Sequence, residues 1–138
     1  MHALDHLSDD EMLAGFLAYE LPPSAFDHHS HLRIAWIHLQ RYPLDEAIQR
    51  TCAGIAGFAA HLGVTEKFNW TLTEALVRLM AHAGAADPAL GWKTFLDANS
   101  ELRQDTRGVI ARYYSEERLA LPEARAHFLA PDRTALPA

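Results

Sequence analysis

Four of the nine histidines fall between positions 28 and 38, in the stretch Phe26-Asp27-His28-His29-Ser30-His31-Leu32-Arg33-Ile34-Ala35-Trp36-Ile37-His38-Leu39. Read as a helix at 100° per residue, it sets His28, His31, Leu32, Ala35, His38, Leu39 and Tyr42 on one face. His28 and His31, three apart, can aim two imidazoles at one point. Helix-borne ligands of this kind hold divalent transition metals in bundles, and without a metal a buried imidazole serves as acid or base near neutral pH. His38 lies two turns beyond His31, about 10 Å along the axis, too far to share an ion. A metal at the pair needs further ligands from another helix, with Glu20, His61, Asn69, Glu74 and His82 as candidates. The alternative is structural: His28 caps the helix and His31 hydrogen-bonds within the core.

A second, narrower stripe carries His29, Arg33, Trp36 and Gln40. Arg33, on a helix with little polar surface, suits a fixed guanidinium that grips a carboxylate or phosphate; the competing reading is a salt bridge to Glu20 or Asp45. Lys67-Phe68-Asn69-Trp70-Thr71-Leu72-Thr73 is the other informative segment. A loop entering a helix presents backbone N–H groups to an anion, and Asn69 and Thr73, four apart, can face one cavity. Plain capping, by Thr71 or Asn69, is the simpler role. Tyr113 and Tyr114 fit a packing role. Cys52 sits on an apolar seam with nothing nearby to lower its pKa, as a small core residue does.

These side chains must be positioned by helices. Ser8-Asp9-Asp10-Glu11 has capping-box spacing and opens a first helix to about Glu20, burying Met12, Phe16 and Tyr19. Pro22-Pro23 breaks it. The histidine helix runs from Asp27 or Ser24 to before Pro43, and is central because Ile34 and Ile37 leave it almost no solvent face. A third helix follows Pro43, with a seam of Ile48, Cys52, Ile55, Ala59 and Leu62, small residues elsewhere and Gly63 as the stop. Thr71 to about Ala83 is a fourth. Asp87-Pro88 marks the start of a helix bearing Trp92, Phe95 and Leu96, and another carries Leu102, Val109, Ile110 and Tyr113. Short turns open at Ser115 and Pro122. No strand alternation, repeat or low-complexity tract is present. The expectation is an all-α, compact single-domain bundle of five to six helices over residues 1–138, with about 1–7 and 130–138 extended or frayed. His2 and His6 carry little weight in that frame.

Composition narrows the function. With 138 residues, 49% hydrophobic and 22% charged, the chain can bury a core of its own. A net charge of −6 and no Lys/Arg-rich run argue against nucleic acid and against an anionic membrane. No apolar run nears the roughly 20 residues of a membrane span, and no secretion signal begins the chain. The single cysteine suits a reducing cytoplasm. No P-loop, dinucleotide fingerprint or nucleophile elbow is present.

With these residues laid out, the chain resembles a small bacterial all-helical family with the pattern Phe-x-His-x-x-His-Leu-Arg-x-Ala-Trp, then Lys-(Phe/Tyr)-(His/Asn)-x-Thr-x-Thr, an Arg-Tyr-Tyr-Ser segment and an Ala-Arg…Pro-Asp ending. Here these are Phe26 to Trp36, Lys67 to Thr73, Arg112 to Ser115, and Ala124-Arg125 with Pro131-Asp132. Asn69 stands where histidine is common, which weakens a metal at that position. The resemblance implies a shared pocket and an all-α fold; it implies no particular reaction.

The resulting expectation is a cytoplasmic enzyme acting on a small anionic metabolite in a pocket between the second and fourth helices. His28 and His31 bind a divalent transition metal or act as acid and base. Arg33 and Lys67 hold the anionic group, and Asn69 and Thr73 orient it. A non-catalytic small-molecule- or partner-binding module with structural histidines is the alternative. An oligomer built on Ala53-Gly54-Gly57 is a third.

Overall fold

The computed structural model describes residues 2–137, and every regular element among them is helical. α1 spans Asp9–Leu17, α2 His28–Arg41, α3 Leu44–His61, α4 Trp70–His82, α5 Trp92–Ala98, α6 Ser100–Gln104, α7 Thr106–Ala111, α8 Glu116–Leu119 and α9 Pro122–Ala126; a 3-10 turn covers Thr65–Lys67. The all-α expectation is met. The helix count exceeds five or six because the last third of the chain is cut into short pieces. Asp105 ends α6 and caps α7, its carboxylate accepting from the Gly108 N–H. Asp87-Pro88 starts no helix: the Asp87 carboxylate accepts from the Ala89 N–H in a local turn, and α5 begins only after Gly91, whose backbone is extended.

α2 is the spine. Residues Leu32 through Leu39 are all buried, so the helix has no solvent face along its middle. Asp27 caps it through the Ser30 N–H, and Pro43 separates it from α3. α1 opens with the expected capping box between Ser8 and Glu11. It ends earlier than expected, because Tyr19 adopts a left-handed backbone (φ 56°) and the Glu20 and Tyr19 N–H groups close back onto Gly15 and Phe16. Tyr19 is therefore exposed and stacks on His61 instead of entering the core.

The small face of α3 receives α1. A Cβ on Gly54 would stand 2.4 Å from the Phe16 ring, so only glycine lets this ring reach Phe58 and Phe26, 6.1 and 5.5 Å away. Cys52 is fully buried on the seam, and burial pushes its thiol up to about 12. No helix among the described residues is long and apolar enough to cross a membrane.

Candidate functional site

The first turn of α2 sends its histidines in different directions. His28 Nε2 donates to the Leu102 carbonyl at 2.9 Å, and the Thr106 hydroxyl joins the same contact. This ring ties α2 to α6 and α7. His31 turns to the opposite flank, edge-on against Phe26 with centroids 4.6 Å apart. Burial and the neighbouring His28 bring it down to about 4, so it is a neutral imidazole at pH 7. His38 is likewise lowered to about 4, by burial and by Arg50 and Arg41, and its Nδ1 meets the Thr51 hydroxyl at 2.8 Å. The His28–His31 pair shares no common partner, and no third ligand joins either ring in a metal-competent group among the described residues.

His31 and Lys67 do come together. Both border a small cleft of about 130 Å³ whose other walls are Phe26, Phe58, Leu62 and Phe68, an apolar surround for a charged ligand. Asn69 caps α4, its Oδ1 accepting from Leu72 N–H and its Nδ2 donating to the Leu119 carbonyl. Thr73 donates to the Asn69 carbonyl at 2.8 Å. Thr71 is not the cap. It lies buried in the first turn, donating to the His127 carbonyl and accepting from Leu129 N–H, and so fastens the C-terminal segment onto α4. The Lys67–Thr73 segment thus acts as a structural joint.

Arg33 forms no bridge to Glu20 or Asp45. The residue is 6% exposed, and its guanidinium holds the N-terminal segment, donating to the Leu4 carbonyl at 3.0 Å, the Leu7 carbonyl at 2.6 Å and the Asp9 carboxylate at 3.2 Å. Residues 2–7 consequently fold as turns with Leu4 buried, rather than fraying. That segment delivers His2 and Asp5 to the second stripe of α2. The His2 ring lies parallel to the His29 ring at 4.3 Å, and its Nε2 sits 2.9 Å from both Asp27 carboxylate oxygens. His29 Nε2 is 3.5 Å from Asp5 Oδ1. Sequence reasoning missed His2 and Asp5. The available signal was Arg33 itself, a buried cation that must recruit acceptors from some neighbouring segment.

His2, Asp5, His29 and Arg33 line a cleft of about 700 Å³, completed by Trp92, Lys93, Asp97 and Arg103 of the α5–α6 region. Trp92 meets His29 edge-on at 5.5 Å and Trp36 at 5.9 Å. Among the described residues, three buried side-chain nitrogens have no hydrogen-bond partner: His29 Nε2, Arg33 Nε and Trp36 Nε1. All three belong to the His29–Arg33–Trp36 stripe. Burial raises the Asp5 carboxyl, but the His2 N–H and the His29 ring outweigh it and hold it below its usual value; Asp27 is held low in the same way by His2 and the Ser30 N–H. His29 is lowered by burial and by His2, against the pull of Asp5, and stays neutral at pH 7.

The site therefore belongs to an all-α protein with a polar cleft beside its central helix. Compared with protein-family models, curated proteins and solved structures, the chain matches none. The family resemblance stands on its motif residues alone.

Proposed function

We propose that the chain is a small-molecule enzyme of the cytoplasm and that its substrate is a small anion, carrying a carboxylate or phosphate, bound in the cleft between α2 and α5–α6. The observation that carries this reading is the row of unpartnered buried nitrogens on α2. A buried N–H without an acceptor costs about 1–3 kcal/mol, and an anionic oxygen is the acceptor that Arg33 Nε–H lacks. Lys93 and Arg103 of the same cleft, with Arg33, outnumber the lining Asp5 and Asp97 and add charge attraction. His29, neutral and at the cleft wall, is the acid–base group, in place of the His28 and His31 expected from spacing. Cys52, reduced and buried, fits the compartment.

Binding without turnover is the second reading. It is favoured by His28, committed to a backbone carbonyl, and by His31, enclosed among aromatic rings. Thermal melts with a panel of phosphorylated and carboxylated metabolites test both. A ligand at a hundredfold its Kd stabilises by about 2.7 kcal/mol, a clear rise in Tm, and Lys93→Ala/Arg103→Ala should abolish that rise. An unchanged rise in the double variant, or none in the wild type, overturns the anion site. Recovery of the bound molecule unaltered selects binding over catalysis.

A further inference from the structure

We propose that the small cleft on the aromatic flank of α2 is a second ligand site, and that it takes a single-ring aromatic monocarboxylate, with benzoate as the representative. The cleft measures about 130 Å³, close to the roughly 150 Å³ of an apolar cavity that stays dry and takes up benzene. Phe26 and Phe58 pack with centroids 4.4 Å apart and give it a continuous aromatic wall. Ile55 and Leu62 of α3 extend the apolar lining, and Phe68, which follows the Thr65–Lys67 turn, adds a third ring. Such walls favour an aromatic guest, which gains offset and edge-to-face contacts beyond the area it buries.

The two polar residues that line the cleft are His31 and Lys67. The His31 imidazole packs edge-on against Phe26 and makes no hydrogen bond among the described residues. Lys67 is exposed and takes part in no ion pair among them. No carboxylate lines the cleft, so one unopposed cation selects a monoanion. A carboxylate sunk among the rings would lose its hydration without repayment. The ring therefore enters, and the carboxylate stays at the rim, where Lys67 meets its charge and the imidazole N–H donates to it. The two segments richest in candidate residues, Phe26 to Leu39 and Lys67 to Thr73, meet at this cleft.

No residue lines both this cleft and the polar one, so either reading can fail alone. The test is a benzoate titration of full-length, nitrogen-15-labelled protein followed by NMR, with benzyl alcohol as the neutral probe. Benzoate should shift the His31 and Phe68 signals saturably, as a one-to-one complex. Benzyl alcohol should bind about tenfold more weakly, and Lys67→Met should bring benzoate down to the alcohol's affinity. Ala59→Phe, at a half-buried position of the lining, should fill the cleft and abolish binding, whereas Lys93→Ala/Arg103→Ala should leave it unchanged. Should Ala59→Phe not fold, Lys67→Met decides. No saturable shift at the cleft, equal affinity for acid and alcohol in the wild type, or loss of binding in Lys93→Ala/Arg103→Ala overturns the proposal.

Discussion

His29 and His31 stand two residues apart on α2, on flanks of opposite character. On one, His29 joins His2, Asp5 and Arg33 along a cleft of about 700 Å³. On the other, His31 is set among Phe26, Phe58 and Phe68 along a cleft of about 130 Å³. Residue type and helix are the same; the environment differs because of what each flank recruits. Arg33 draws in the N-terminal segment with its polar groups, whereas the small face of α3 admits rings. An imidazole's role is set by the partner delivered to it, more than by its spacing on the helix.

The largest expected effect breaks this contrast on the polar side alone. Arg33→Ala removes the donor that holds the Leu4 and Leu7 carbonyls and should cost about 3 kcal/mol in urea denaturation. Hydrogen exchange should show residues 2–7 released while the Phe16–Phe26–Phe58 cluster stays protected. Acid sharpens the comparison next. His31 and His38 are lowered from an unfolded value of 6.5 to about 4, so the unfolded chain binds protons first. Their contribution is complete above about pH 6.5 and is lost as pH falls through the interval down to about 4. Between pH 7 and about pH 5.5 each ring should lose about 1 kcal/mol, and His38→Gln should halve the combined loss. On the polar flank His29, Asp5 and Asp27 are lowered as well and lose stability in the same direction, but the two carboxylates start from an unfolded value of 3.8. Their share persists until pH drops below about 3.8. The smallest effect separates neighbouring histidines: His28→Ala should lower stability by about 1 kcal/mol, read in urea, and leave the ligand-induced rise in Tm intact.

Much of the scaffold was legible in the chain. The box at Ser8 and Glu11, the break at Pro43, the stop at Gly63 and the small face of α3 are local or pairwise signals. The polar stripe His29–Arg33–Trp36 was legible too, as a periodicity. Its importance was not, because the stripe matters only once Leu4 and Leu7 bring His2 and Asp5 across it, and acceptors on a backbone carry no sequence signature. The cap at Asn69 rather than Thr71 was lost for a similar reason. Both residues suit the role, and the choice is made by the His127 and Leu129 backbone, 56 and 58 residues away, which engages Thr71.

The polar cleft is also divided along the chain. His2, Asp5, His29 and Arg33 all precede residue 34, while Trp92, Lys93 and Arg103 come some sixty residues later. Synthesis is vectorial and takes seconds over such an interval. The donor half, with Arg33 waiting to grasp the Leu4 carbonyl, thus leaves the ribosome well before the wall that encloses it. Until residues 92–103 fold back onto α2 the polar stripe has no second wall, so the cleft is among the last features of the fold to be completed.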